Sequence, residues 1–158
     1  MGSAHYAHSL ADAGKPVDLM IALDLVGSFD DTEGSQGYPL TWMAFFYPSR
    51  GNFIAIVGDT GAGGAIKKVK RGMLSARTIP VESFRSPSRI GGVDWSDHLW
   101  FRRLGMPAVM VTDTAFLRMR HYHRTSDTPE KLDYRRMAAV TQALHGVLAL
   151  ESAGSGRR

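Results

Sequence analysis

Four short segments in which most residues are apolar constrain the fold of this chain more than any other feature. They cover residues 17–26, 53–57, 79–84 and 107–112. Continuous apolar runs of this length predict strands that are buried on both faces of a sheet. Helical spacing of apolar residues predicts helices over residues 3–13, 65–75, 96–104 and 134–150. Helices that alternate with such strands predict an α/β fold, with its sheet covered on both faces.

Length and composition indicate a single folded domain. A chain of 158 residues with 44% hydrophobic and 22% charged residues is ordinary for a globular protein and can bury a core. It contains no cysteine, which excludes disulfides and thiolate metal sites. We therefore expect one domain over residues 1–151, followed by a disordered Gly-, Ser- and Arg-containing tail over residues 152–158.

The net charge of +4 raises the question of a nucleic-acid partner. The basic residues, however, are scattered over several predicted helices, and no helix-turn-helix, zinc-finger or aromatic RNA-binding pattern accompanies them. No apolar run approaches the roughly 20 residues that a membrane span requires. The sequence therefore predicts neither a nucleic-acid partner nor a membrane.

A short loop ahead of the last predicted helix concentrates residues that can carry chemistry. It contains His121, Tyr122, His123 and Asp127. Imidazole and carboxylate groups are zinc ligands, and a phenol beside them can stabilise developing charge. On extended backbone, His121 and His123 would point to the same side. The loop is thus a candidate metal or catalytic site.

Asp24 ends an otherwise apolar strand. A buried carboxylate is costly unless it is paired, hydrogen-bonded or bound to metal, so one interpretation is simply an acid that faces water at the strand end. In open α/β sheets, however, ligands bind outside the carboxyl ends of the strands, which favours a functional role. Asp97 and His98 open a predicted helix, where an Asp is often only a helix-terminal charge.

Six segments, taken in order, carry a resemblance to a known family. They are Met20–Gly27, Asn52–Gly58, Asp94–His98, Pro107–Thr114, His121–His123 and Ser126–Pro129. Together they resemble the zinc-dependent aminopeptidases, the two-zinc exopeptidases that are related to bacterial leucyl aminopeptidases and glutaminyl cyclases. The resemblance runs along nearly the whole chain. It implies a three-layer α/β/α sandwich with a mixed, mostly parallel sheet.

The resemblance also implies roles for individual residues. In this family two zinc ions share a bridging aspartate and a bridging water. Asp24 matches a carboxylate ligand of one zinc, and His123 matches a histidine ligand of the other. Tyr122 matches a tyrosine that holds the substrate carbonyl as it becomes an oxyanion. Further matches are supporting acids that orient ligands or substrate (Asp97 and Asp127) and residues that line the pocket (His98 and His121).

The chain departs from the family pattern in one respect. The family takes its other zinc ligands and its general base, one member of an adjacent Glu–Glu pair, from a region that precedes the segments found here. None of the glutamates in this chain is adjacent to another; they are Glu33, Glu82, Glu130 and Glu151. The chain is therefore expected to be the C-terminal portion of a peptidase domain that lacks its N-terminal strands and its general base.

Two functions remain open at this point. The first is a zinc-dependent exopeptidase that hydrolyses peptide bonds with a metal-activated water, present here as a partial domain that is inactive alone. The alternative is a non-catalytic remnant that acts as an interaction or scaffold module. Missing strands would leave sheet edges unpaired. The expected partners are thus a peptide substrate and either the missing N-terminal portion or another copy of the chain.

Overall fold

The structure, a computed structural model, describes residues 2–87 and 90–155. Every predicted helix and strand is present. The helices are α1 (Gly2–Asp12), α2 (Gly63–Ala76), α3 (His98–Arg103) and α4 (Tyr134–Ser155). The strands are β1 (Met20–Leu23), β2 (Ile54–Gly58), β3 (Val81–Arg85) and β4 (Ala108–Thr112). Short 3-10 turns lie at Thr41–Phe45, Thr60–Ala62, Ala115–Leu117 and Pro129–Lys131.

The strands form one open sheet in the order β1-β4-β2-β3. β1 runs parallel to β4 and β2 runs parallel to β3, whereas β2 and β4 are antiparallel. The prediction of a mixed, mostly parallel sheet is therefore confirmed. Because of the one antiparallel pair, the carboxyl ends of β1 and β4 lie at the same end of the sheet as the amino ends of β2 and β3. Residues from all four strands thus converge at that end.

The sheet has helices on both faces, as the three-layer prediction requires. On one face α2 and α4 pack over alternate strand residues, represented by Ile54, Ile56, Val109 and Val111. On the other face α1 and α3 cover one end around Phe101 and Ala108. The rest of that second face is covered by loops and not by helices. It is this loop-covered part that holds the candidate site.

Two boundaries differ from the predictions. β1 ends at Leu23, because Leu25 has φ 60° and so leaves the extended conformation. The predicted strand over residues 17–26 is thus shortened to its middle. α4 continues to Ser155, five residues past the predicted end of this helix at residue 150. Residues 156–158 lie outside the described residues. Within the described chain, no helix has the length and apolar character to cross a membrane.

Candidate active site

A cavity of about 120 Å³ opens on the loop-covered face of the sheet. Its floor consists of strand side chains, chiefly Ala55, Val57, Phe84 and Met110. Because side chains alternate along a strand, these are the residues that point away from α2 and α4. Loops between residues 36–47, 90–95 and 114–122 supply the walls. The result is a mostly apolar cavity at the end of the sheet where strands converge.

Asp24 lies at the rim of this cavity. Its backbone N–H donates to the carbonyl of Val111 at 3.1 Å, which continues the β1–β4 pairing one residue past the strand. The left-handed conformation of Leu25 then turns the chain away. The side chain of Asp24 is partly buried and lines the cavity. The acid that ends an apolar strand is therefore one of the residues that line the cavity.

Tyr122 and His123 lie at the end of a series of aromatic side chains. Ring centroids are 5.6 Å apart for Trp95 and Phe116, and 6.0 Å apart for Phe116 and Tyr122. The His123 ring stacks on Tyr122 at 4.0 Å with an interplanar angle of 14°. Trp95, Phe116 and Tyr122 line the cavity, whereas His123 is exposed. Asp24 and Tyr122 are thus brought to one cavity, and His123 joins them through its contact with Tyr122.

The two histidines predicted to line the pocket have other surroundings in the structure. His98 is fully buried among core residues, where Nε2 donates to the carbonyl of Val93 at 2.8 Å and Nδ1 has no hydrogen-bond partner. Burial lowers the pKa of His98, which favours the neutral form of the ring. His121 is turned instead toward Ser126, with Nδ1 and Oγ 2.9 Å apart. Neither histidine is among the residues that surround the cavity.

The two predicted supporting acids also lie elsewhere. Asp97 is exposed just before α3, and it borders a separate groove beside β1 and α1. Asp127 is exposed on the loop after His123, where its N–H donates to the carbonyl of Arg124. Neither residue lines the cavity that contains Asp24. Their proposed roles as supporting acids remain predictions.

The described residues do not form a zinc site by themselves. Within residues 2–87 and 90–155, no group of three or more His, Asp or Glu side chains is placed to hold a metal ion. A zinc site needs three or four protein ligands, and Asp24 and His123 are only two. The residues of this chain that the structure describes therefore do not fit a complete zinc site.

Sequence reasoning missed a set of buried polar residues beneath the cavity rim. Gln36, Asp113 and Arg118 are all buried. Burial raises the pKa of Asp113, and hydrogen bonds from Ser28, Ala115 and Gly27 oppose that shift. Burial lowers the pKa of Arg118 to about 10, although Asp113 opposes the shift. Asp113 follows the apolar strand β4 as Asp24 follows β1, and that parallel was the available signal.

Two phenols make one wall of the cavity neutral. Burial raises the pKa of Tyr38 to about 12, and it also raises the pKa of Tyr47. The Tyr38 hydroxyl donates to the carbonyl of Pro48, and the Tyr47 hydroxyl donates to that of Ser83. With their hydroxyls bound to backbone, both rings present carbon to the cavity. The arrangement suits an apolar group held beside a carboxylate and the phenol of Tyr122.

A family model and a relative each match most of this chain. The model of peptidase family M28 matches residues 1–148. YfbL, an uncharacterized protein of Escherichia coli (strain K12), is 45% identical over 150 residues, which are 95% of this chain and 45% of YfbL. This chain therefore spans less than half the length of that relative.

Solved structures show the same fold at low sequence identity. The LapA aminopeptidase of Legionella pneumophila superposes with a TM-score of 0.64 at 18% identity, over 96% of this chain and 36% of LapA. BSAP, a zinc aminopeptidase from Bacillus subtilis, superposes with a TM-score of 0.62 at 17% identity, over 96% of this chain and 32% of BSAP. This chain covers about a third of each aminopeptidase.

Proposed function

Because the chain belongs to peptidase family M28, we propose that it is part of an exopeptidase that removes the N-terminal residue of a peptide. One observation carries the proposal: an apolar cavity has Asp24 and Tyr122 at its rim. An apolar side chain can fill such a cavity while the polar backbone of the same residue stays at the rim. The names of LapA and BSAP as aminopeptidases support this substrate class.

Each rim residue has a distinct proposed part. The hydroxyl of Tyr122 donates a hydrogen bond to the carbonyl oxygen of the substrate. This hydrogen bond becomes more stabilising as the oxygen gains negative charge in the transition state. The apolar walls exclude water from the bound side chain. Asp24 and His123 are the two metal ligands that we propose this chain contributes to a zinc site completed by other residues. The general base is likewise proposed to come from outside this chain.

The rest of the proposed domain docks along the β1 edge of the sheet. β1 is an edge strand, and its Leu23 is 54% exposed. A groove runs beside this edge, with Tyr6, Leu10 and Leu148 among its apolar lining residues. An exposed apolar edge strand is a template for further strand pairing. Since the chain spans only 45% of YfbL, a segment matching the remainder is the proposed occupant.

Binding of single amino-acid amides to the chain tests the proposed substrate class. Leucinamide carries the amine, the carbonyl and the apolar side chain of an N-terminal leucine, whereas glycinamide lacks the side chain. Burial of a leucine side chain is worth about 2 kcal/mol, so leucinamide should bind roughly 30-fold more tightly in calorimetry. A scaffold without a substrate site would bind neither amide.

A variant that fills the cavity provides the control. Ala55 points into the cavity from β2, so Ala55→Leu should abolish the preference for leucinamide while leaving the fold intact. Ala11→Leu makes the same change at an exposed position of α1 and should leave the preference unchanged. Equal affinity for the two amides, or a preference that survives Ala55→Leu, would contradict the proposal.

A further inference from the structure

A network of buried polar side chains lies between the loops that carry the rim residues. Its buried members are Gln36, Asp113 and Arg118, and the partly buried Thr114 joins them; we call these four residues the buried polar network. Asp113 is 1% exposed and Arg118 is 8% exposed. Burial of charged groups is costly unless hydrogen bonds satisfy them. Their presence here therefore needs a reason beyond filling space, because apolar side chains would fill the same volume at less cost.

Asp113 holds the loop that follows Asp24. Its Oδ2 accepts hydrogen bonds from the backbone N–H groups of Gly27 at 3.1 Å and Ser28 at 2.7 Å. Its own N–H donates to the carbonyl of Leu25 at 2.6 Å. Leu25 has φ 60°, a left-handed conformation that a leucine adopts only when its surroundings impose it. Asp113 thus fixes the turn by which the chain leaves Asp24.

Arg118 ties the other rim loop to the same turn. Its Nη1 donates to the carbonyls of Ser28 and Phe53, each at 3.0 Å. Its Nε and Nη2 donate to Oε1 of Gln36 at 3.0 and 2.8 Å. Arg118 precedes Tyr122 and His123 by one short stretch of the same loop. The planar guanidinium therefore connects the Asp24 loop to the loop of Tyr122 and His123.

Close packing leaves the guanidinium little room to move. A Cβ added to Gly51 would lie 2.6 Å from Nε of Arg118, well inside contact distance. The Gln36 side chain is held in turn, since its Nε2 donates to the carbonyl of Gly37 at 2.6 Å and to Thr114 Oγ1 at 3.0 Å. The network thus has one geometry, and every donor of Arg118 described above has an acceptor.

We propose that Asp113 and Arg118 are positioning residues, which set where Asp24 lies relative to Tyr122 and His123. The inference rests on the proposed function, because it assigns these residues to the same rim. Both act through the backbone of the two loops and touch no substrate. Hydrogen bonds in this place fix the relative orientation of the two loops, which an apolar core of equal volume would not do.

The test uses the full chain with Asp113→Asn and Arg118→Met, plus Arg118→Lys as a milder change that keeps the charge. Asp59→Asn is the matched control, because Asp59 pairs with Arg102 at 2.8 Å in a separate partly buried ion pair. Two quantities are measured at a temperature where every variant is folded. They are leucinamide affinity and amide hydrogen exchange followed by NMR.

Positioning predicts local effects at the rim. Asp113→Asn should speed exchange of one or more of the Gly27, Ser28 and Ala115 amides roughly tenfold, because Asn keeps only one of the two oxygens that accept from them. Asp113→Asn and Arg118→Met should each weaken leucinamide binding about tenfold, and Arg118→Lys should weaken it less. Asp59→Asn should lower the melting temperature and leave both quantities unchanged. Unchanged leucinamide affinity in the folded network variants would overturn the proposal.

Failure of the proposed function gives a different result. If the wild-type chain does not bind leucinamide, the exopeptidase proposal falls and NMR alone decides the positioning. Shifts of the Asp24, Tyr122 and His123 amides in both Asp113→Asn and Arg118→Met, absent in Asp59→Asn, would support positioning. Amides that keep their wild-type shifts in the two network variants would refute it.

Discussion

The contact between α2 and α4 leaves no room for a side chain at Gly72. A Cβ there would lie 2.5 Å from Cα and 2.8 Å from Cγ2 of Val147. The facing Gly146 is equally tight, since its Cβ would lie 2.5 Å from the Gly72 carbonyl oxygen. Carbon atoms normally pack about 3.5–4.0 Å apart, so Gly72→Ala must separate the helices by about 1 Å.

The cost of that separation can be compared with the gain in helix propensity. Overpacking costs about 1–3 kcal/mol, and the upper end applies because the clash is with backbone, which cannot rotate away. Alanine gains about 1 kcal/mol over glycine inside a helix. We expect a net loss of about 2 kcal/mol in the free energy of unfolding. For a chain of this size the melting temperature should fall by about 4–8 °C.

Gly64 provides a control in the same helix. A Cβ on Gly64 meets nothing within 4 Å, so Gly64→Ala should be neutral or stabilising by up to about 1 kcal/mol. Urea and thermal unfolding followed by circular dichroism measure both variants. Leucinamide affinity should not change in Gly72→Ala, because α2 and α4 lie on the opposite face of the sheet from the cavity. A Gly72→Ala chain as stable as the wild type would refute the packing argument.

Three further predictions concern pH, metal and assembly. Burial lowers the pKa of His98 from 6.5, so the free energy of unfolding should fall as the pH drops below that value, by at most about 1.4 kcal/mol per pH unit, and level off below the folded-state pKa. Urea titrations at several pH values measure this dependence. His98→Gln should flatten it, whereas His8→Gln at an exposed position should not. In competition with a chelating dye, the chain alone should bind zinc with a Kd above about 1 µM, since it offers only two ligands. Micromolar or tighter zinc binding that is lost in both Asp24→Ala and His123→Ala would contradict this prediction. Light scattering should show that the wild-type chain self-associates. Leu23→Lys should reduce this self-association, because a charge on β1 blocks edge pairing, whereas Leu74→Lys should not. A monomeric wild type would contradict the prediction that the β1 edge pairs with another strand.

The fold could be predicted because its signals are local. Apolar runs identify each strand, and helical spacing identifies each helix, including the long α4. The end of β1 could not be predicted, since the left-handed turn at Leu25 is imposed by hydrogen bonds from a residue far along the chain. The end of α4 was missed because a Gly- and Ser-containing segment has low helix propensity, yet it continues the helix to Ser155.

The candidate site, like the fold, contains some features that the sequence could predict and others that it could not. Asp24 and Tyr122 were predicted, because an acid after an apolar strand and an aromatic loop both follow from sequence order. The burial of His98 could not be predicted, since only the tertiary fold decides that α3 begins inside the core. Asp113 and Arg118 were missed because their partners are mainly backbone groups distant in sequence. The roles of Asp24 and His123 as metal ligands remain predictions.

Hydrolysis of leucyl-p-nitroanilide with zinc present tests the central claim most directly. The chain is assayed alone, and then together with the part of YfbL that it does not match. We predict no turnover by either part alone and turnover when the two form a complex, which light scattering detects. Turnover by this chain alone would contradict the claim that its site is partial. A stable complex without turnover would contradict the claim that the chain supplies part of a peptidase site.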